Sequence, residues 1–167
     1  NAVVVHNPES NANNGVGRLD LEGAAADGCR IGLGTDGMSS AMLAALRAAF
    51  LGVRGGRRDP TAGFAVVPEL LAANAAFAGV LLDEPQLGRL EPGAPADICV
   101  LDSAPPTPVT AGNLFANLVY GAAFTPVRHT IARGRVLMEN GRLITVEAGA
   151  VEEEARRLTP ALWQRFH

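Results

Sequence analysis

Two short apolar runs, each followed by a polar loop and then a helical segment, constrain the fold of this chain most strongly. The first run, residues 2–5, stops before Pro8, a residue that cannot donate to a strand ladder. The second run, residues 29–35, stops at Asp36. Continuous apolar strands that alternate with helices are typical of a parallel sheet covered on both faces. The sequence therefore predicts two βα units.

Helical spacing predicts the segments that follow these strands. A short helix is expected around residues 19–26, and a longer one is expected to be capped by Ser39 or Ser40 and to end at Gly52. The longer helix is predicted to bury one face, made of Met38, Met42, Ala45, Leu46, Ala49 and Phe50.

Turn-forming and charged residues predict loops at 10–17 and 55–60, and another helix is predicted to begin at Pro68. The pattern changes after Pro85 to short strands separated by proline and glycine turns, which indicates a small β subdomain. Its predicted strands are residues 96–102, 127–133 and 135–138.

The last segment, residues 147–166, predicts a helix that Pro160 should kink or divide. Its expected apolar stripe is Val151, Ala155, Leu158, Leu162 and Phe166.

Charge and composition narrow the class of partner. The formal net charge is −3, and the 14 lysine and arginine residues are scattered rather than grouped into a stripe. We therefore expect a small-molecule partner, with no nucleic acid and no membrane. No apolar run reaches the roughly 18 residues that a membrane span requires.

Cys29 and Cys99, the two cysteines, each lie in a short apolar run. We expect both to be reduced thiols in the core of a cytoplasmic protein. The chain opens directly in an apolar strand, without an initiator methionine or the regions of a secretory signal. We therefore expect it to belong to a longer protein.

The glycine-rich turn at residues 32–37 permits three interpretations. Its G-x-G-x-x-G spacing fits a dinucleotide site, but the carboxylate of Asp36 would repel a pyrophosphate. Alternatively, a carboxylate just past a parallel strand lies where catalytic groups collect in α/β barrels. A turn or helix-capping role is the third interpretation, and these residues alone favour it.

The three histidines do not form a metal site by themselves. His6 follows the first predicted strand, His129 lies within a strand and is expected to be structural, and His167 is terminal. A zinc site needs three or four ligands, so most would have to come from outside this chain. His6 fits either a supporting hydrogen bond or a substrate contact.

Several motifs, in order, resemble one family. HNPESN at residues 6–11 followed by GLGTDG at 32–37 resembles the seventh and eighth strand ends of the amidohydrolase superfamily, in its deaminase and chlorohydrolase branch. The segment 88–102 resembles that family's G-x-L-x-P-G-x-x-A-D-hydrophobic-Asp signature, and 130–138 its closing strand pair. Finer features, including the segment 161–166, resemble the SsnA-type aminohydrolases associated with selenium metabolism.

The resemblance implies an α/β fold, in which a (β/α)8 barrel of the TIM type carries a small composite β-sandwich. Residues 1–87 would supply the last two βα units, 88–146 the C-terminal part of the sandwich, and 147–167 a C-terminal helix. A whole barrel needs about 250 residues, so the missing N-terminal part of the same enzyme is an implied partner. A homo-oligomer is also expected.

The implied activity is metal-dependent hydrolytic deamination of a nitrogen heterocycle or an amidine-like substrate. Asp36 is implied as metal ligand and base, with one Zn²⁺ or Fe²⁺ that lowers the pKa of a water molecule towards about 7. His6 and Asn11 are candidate substrate-binding residues. The family's H-x-H pair and its other histidine ligands do not occur in this sequence, so this chain alone is expected to be inactive.

Other functions stay open at this point. A chlorohydrolase or a cyclic-amide hydrolase of the same superfamily would use the same chemistry. A metal-free, non-catalytic relative is also possible, because a fold does not determine a function.

Overall fold

The computed structural model describes residues 2–166, which divide into two units. Unit 1 contains the residues up to Pro95 together with Ser103–Thr125. Unit 2 contains Ala96–Asp102 and the residues from Pro126 onward. The terminal His167 lies outside the described residues. The assignment of these segments to a barrel and a sandwich of a larger enzyme stays a prediction.

Unit 1 contains two strands and a set of helices. In chain order they are β1 (Val4–His6), α1 (Pro8–Asn13), α2 (Leu21–Ala26), β2 (Ile31–Leu33), α3 (Met42–Arg57), α4 (Glu69–Leu82), α5 (Leu114–Ala116) and a π-helix (Asn117–Ala122). The two strands pair in parallel, with His6 opposite Leu33, as the alternation of apolar runs and helices predicted. Their carboxyl ends therefore lie side by side.

The core of unit 1 lies between β2, α3 and the π-helix. Phe50 of α3 is 0% exposed, and its ring makes edge contacts with the rings of Phe64, Phe115 and Tyr120. The buried cluster consists of Leu21, Ile31, Leu33, Ala45, Leu46, Ala49, Phe50, Val53, Ala62, Val67, Leu70 and Val119. The predicted inner face of α3 is thus largely confirmed, but Met38 precedes the helix and is 47% exposed.

The prediction that residues 10–17 form a loop throughout was wrong, because α1 extends to Asn13. Asparagine and serine are poor helix formers in isolation, but Pro8 stands at the first helical turn, where its fixed φ favours a helix. Pro8 and Ser10 are also buried. Packing therefore outweighs the low propensity of this segment.

The predicted ends of α3 were also wrong. Its N-cap is Ala41 rather than a serine, and the Ser39 hydroxyl instead accepts a hydrogen bond from the Ala41 N–H at 3.3 Å. The helix continues past Gly52 to Arg57. A Cβ atom at Gly56 would overlap the Arg18 guanidinium, so this glycine allows a close approach rather than ending a helix.

Unit 2 contains a four-stranded antiparallel sheet and one helix. The strands are β3 (Ile98–Leu101), β4 (Val127–Ala132), β5 (Arg135–Glu139) and β6 (Arg142–Leu143), in that spatial order. Two-residue turns at Arg133-Gly134 and Asn140-Gly141 have positive φ at both positions, as type I′ hairpins require.

The helix of unit 2, α6 (Ala148–Trp163), is continuous. The prediction was that Pro160 kinks or divides this helix. Division is therefore wrong, whereas a kink at Pro160 stays a prediction. The Pro160 carbonyl still accepts a hydrogen bond from Gln164 N–H, and the Thr159 hydroxyl donates to the Ala155 carbonyl at 2.7 Å. These bonds keep the backbone helical on both sides of the proline.

The expectation that both cysteines are core thiols was wrong as well, since Cys29 and Cys99 are free but exposed. Cys29 lies two residues before β2 and Cys99 lies within β3, so apolar neighbours in the sequence do not ensure burial at either position. Among the described residues no helix is both long enough and apolar enough to cross a membrane.

Candidate metal and substrate site

Asp36 lies three residues beyond the end of β2, in a turn that exposes its side chain. Its φ is +51°, in the left-handed region that aspartate tolerates better than most residues. Its Oδ2 atom accepts a hydrogen bond of 2.7 Å from the Ser10 hydroxyl of α1. Ser10 is 4% exposed, so a buried side chain holds an exposed carboxylate.

Ser10 is itself held by side chains at the C-terminal end of α1. The amide nitrogen Nδ2 of Asn14 donates to Ser10 Oγ at 3.2 Å. The amide nitrogen of Asn13 donates in turn to Asn14 Oδ1, also at 3.2 Å. A line of hydrogen bonds therefore runs from the end of α1 to the carboxylate of Asp36.

Gly34 allows the two strand ends to approach closely. Its N–H donates to the His6 carbonyl at 2.9 Å, which extends the parallel pairing beyond β2. A Cβ atom at this position would overlap Asn7 Oδ1 and Val5 Cγ1. Only glycine fits here without a shift of the Asn7 and Val5 side chains.

The other edge of β2 is occupied by a side chain. Asn74 of α4 accepts a hydrogen bond from Leu33 N–H at 2.9 Å and donates one to the Leu33 carbonyl at 2.8 Å. This single amide satisfies both backbone groups of the last residue of β2. The strand that leads to Asp36 is thus fixed on both edges.

His6 lies at the end of β1 and is 4% exposed. Burial lowers the pKa of its imidazole below 6.5, because the charged form loses its hydration. Its buried Nδ1 atom has no hydrogen-bond partner among the described residues. Among the described residues no carboxylate therefore pairs with Nδ1, and loss of hydration is what lowers the pKa of the ring.

His6 and Asn11 meet in one cavity of about 650 Å³. Pro8, Glu9 and Arg18 also line it, whereas Asp36 is not among its lining residues within the described part of the chain. Ser10 points from α1 towards Asp36, while the residues on either side of it in the helix face the cavity. Two of the three predicted site residues thus line the same cavity, and Asp36 is connected to α1 through Ser10.

A metal ion could take one ligand from this chain. Asp36 is accessible, and one of its two carboxylate oxygens accepts no hydrogen bond from the described residues. Within residues 2–166 no group of three or more histidine, cysteine, aspartate or glutamate side chains could hold a metal. Asp36 therefore fits as one ligand of a site whose other ligands lie outside this chain.

A parallel strand pair with a carboxylate just past one strand end is consistent with part of an α/β barrel, in which catalytic groups collect at the carboxyl ends of the strands. The family model for the amidohydrolase family matches residues 1–137. This chain belongs to the amidohydrolase family, so the resemblance drawn from the motifs is confirmed. The narrower SsnA-type assignment stays a prediction.

Relatives and solved structures agree with this membership. The chain is 34% identical to a 5-methylthioadenosine/S-adenosylhomocysteine deaminase of Nitratidesulfovibrio vulgaris, over 93% of this chain and 36% of that protein. It resembles the zinc-bound adenosine deaminase from Xanthomonas campestris with a TM-score of 0.77 and 24% identity, over 97% of this chain and 38% of that structure.

A second structure that it resembles is the atrazine chlorohydrolase TrzN from Arthrobacter aurescens, complexed with zinc. The TM-score is 0.68 and the identity is 25%, over 93% of this chain and 35% of that structure. The chain therefore spans little more than a third of the length of each of these proteins.

Sequence reasoning missed Ser10 and Asn74 as supports of this region. Ser10 lies inside the HNPESN segment, but its contact with Asp36 spans 26 residues of sequence, and no spacing rule predicts such a contact. Asn74 stands among apolar residues of α4 as the one polar side chain between Leu71 and Leu82. A lone amide in an apolar helix was the signal that could have identified it.

Proposed function

We propose that this chain is the C-terminal part of a metal-dependent deaminase that releases ammonia from an aminated purine nucleoside. The family membership and the deaminase name of the Nitratidesulfovibrio relative support the reaction class and the substrate class. The observation that carries the proposal is the position of Asp36, an accessible carboxylate fixed by Ser10 just past β2.

Asp36 would serve as one metal ligand and as the base of the reaction. The chemistry that a bound Zn²⁺ would supply is acidification of a water molecule, so that hydroxide is available near neutral pH. The Asp36 carboxylate would accept a proton from the attacking water as the water oxygen bonds to the carbon that bears the amino group. It would then return that proton to the amino nitrogen as the C–N bond breaks and ammonia leaves. His6 and Asn11, in their shared cavity, would contact the substrate.

The test uses the full-length protein that carries this chain, purified without chelators. We expect about one zinc or iron per polypeptide by mass spectrometry, and ammonia release from adenosine-type nucleosides. Asp36→Asn should keep the fold and lose most turnover, because an amide cannot accept the proton. Asp83→Asn is the matched control, since Asp83 also has a left-handed φ, of +55°, but stands at the end of α4.

A chlorohydrolase is the second candidate, and the likeness to the zinc-complexed TrzN favours it. Chloride release from a chlorinated triazine, without ammonia release from any nucleoside, would support this alternative. If neither product forms and the protein binds no metal after reconstitution, the proposal fails and a non-catalytic relative is the better interpretation. A homo-oligomeric state remains a separate proposal that sedimentation would test.

A further inference from the structure

We propose that Ser10, oriented by Asn14, is a positioning residue that fixes the Asp36 carboxylate for metal binding and proton transfer. The inference rests on the proposed function of Asp36. Ser10 would act through Asp36 and not on the reacting atoms, because its hydroxyl donates its one hydrogen to Asp36 Oδ2 at 2.7 Å.

The direction of the hydrogen bonds follows from the donors available. A serine hydroxyl has one hydrogen to donate, together with lone pairs that accept. The Asn14 amide donates to Ser10 Oγ, so the Ser10 hydrogen is free to point at Asp36. Asn14 Oδ1 accepts from the Asn13 amide, which sets the orientation of the Asn14 side chain. Each hydrogen bond, from Asn13 to Asn14 and from Asn14 to Ser10, therefore orients the group that donates the following one.

Burial makes this geometry rigid. Ser10 is 4% exposed and lies on α1, whereas Asp36 is exposed in a turn at a left-handed φ. An exposed carboxylate on a turn would otherwise sample several rotamers. The bond to Ser10 occupies Oδ2 and leaves Oδ1 as the oxygen without a described partner. Ser10 thus selects which oxygen faces a metal.

The same contact reduces the entropy lost when the site assembles. The ends of β1 and β2 are already joined by the bond from Gly34 N–H to the His6 carbonyl. Ser10 extends that connection to the side chain of Asp36. Supporting hydrogen bonds to metal ligands of this kind typically account for about 10–100-fold in metal affinity or activity.

The experiment measures zinc affinity by chelator competition and kcat and KM separately, in the full-length protein. Ser10→Ala should weaken zinc binding by about 10–100-fold and lower kcat with little change in KM. Cobalt-substituted protein should show an altered visible spectrum in the same variant. Ser10→Thr retains the hydroxyl, and it should recover most of the zinc affinity and the wild-type spectrum.

Asn14→Asp tests which groups donate in the hydrogen bonds between Asn14, Ser10 and Asp36. Asn14 is exposed, so this substitution does not alter a buried side chain. Aspartate only accepts, so the Ser10 hydrogen is drawn away from Asp36, and zinc affinity should fall by less than in Ser10→Ala. Val16→Asp adds the same charge two residues later, on a residue that is 72% exposed, and should behave as wild type.

The outcomes separate the two proposals. If wild type binds zinc and Asp36→Asn is inactive, but Ser10→Ala keeps wild-type affinity and kcat, Ser10 has no positioning role and the proposed function stands. Equal losses in Ser10→Ala and Ser10→Thr would also overturn the positioning role, because they would point to packing. If wild type neither binds metal nor turns over any substrate, both proposals fail.

Discussion

The two units differ in how they use their apolar residues. Unit 1 holds every buried hydrophobic side chain among the described residues, and its cluster surrounds Phe50. No described residue of unit 2 is buried, and the apolar stripe of α6 is exposed along its whole length. Unit 1 therefore has a core of its own, whereas unit 2 is held by strand hydrogen bonds and tight turns.

The candidate site lies in the unit that has the core. Ser10 and His6 are buried polar side chains, and the strand that leads to Asp36 is anchored by Leu33 within the cluster. Rigid elements hold catalytic groups more accurately than mobile ones. Substitutions should therefore have large effects in unit 1 and small effects in unit 2, and the following variants test that contrast.

The largest effect is expected from Phe50→Ala. The ring is 0% exposed and contacts three other aromatic rings, so truncation should cost about 3–5 kcal/mol in the free energy of unfolding. Leu158→Ala removes an equally apolar side chain that is 51% exposed, and should change it by less than about 0.5 kcal/mol. Urea denaturation of the full-length protein measures both. Similar losses would show that α6 is covered in the complete protein.

Replacing a glycine by alanine should change the free energy of unfolding in opposite directions in the two units. Gly34→Ala places a Cβ atom against Asn7 and Val5, and should destabilise by about 1–3 kcal/mol. Gly149→Ala lies in α6 with nothing within 4 Å, and should stabilise by up to about 0.5–1 kcal/mol through helix propensity. Thermal melting measures both shifts, and a stabilising Gly34→Ala would refute the close packing of the strand ends.

A smaller difference in stability between the two units is expected when one arginine in each is replaced by lysine. Arg54 stacks over the Phe50 ring at 4.1 Å and donates to the Tyr120 hydroxyl at 2.8 Å, so Arg54→Lys should cost about 1 kcal/mol. Arg157 of unit 2 pairs with Glu154 at 2.6 Å but its side chain is 66% exposed, and Arg157→Lys should leave the urea midpoint unchanged. A larger loss in Arg157→Lys would contradict the contrast.

The smallest change in the free energy of unfolding is expected when the pH is varied. Burial lowers the pKa of His6 in the folded protein below 6.5, so the unfolded chain binds its proton first as the pH falls. Stability is therefore complete above about pH 6.5 and declines below it, until the folded protein also takes up the proton. Urea midpoints between pH 7.5 and 5 should show this decline, and His6→Asn should reduce it. The His129→Gln variant of unit 2 still contains His6, and its stability should decline at low pH as in the wild type.

The sequence predicted what depends on periodicity and on strand ends. The parallel pairing of β1 and β2, the inner face of α3 and the hairpin turns of unit 2 all follow from residue patterns that repeat locally. The helix α1 was missed, because burial of Pro8 and Ser10 stabilises a segment with low helix propensity. The exposure of Cys29 was missed for the converse reason, since apolar neighbours do not guarantee burial.

The candidate site was predicted only in part. Family motifs singled out His6, Asn11 and Asp36, but the sequence could not tell that His6 and Asn11 share a cavity that Asp36 does not line. That separation depends on which sides of α1 face the cavity and Asp36. The support from Ser10 depends on a contact across 26 residues, which only the folded chain brings about.

The amide of Asn74 makes the two hydrogen bonds to the Leu33 backbone that a neighbouring strand would otherwise make. An extended segment, from this protein or from another molecule, can pair with Leu33 only by displacing both of its existing hydrogen bonds. Such pairing exchanges two hydrogen bonds for two, and gains far less than pairing with an open edge would. Asn74 therefore gives this edge of β2 a means of resisting strand pairing and the aggregation that such pairing can cause.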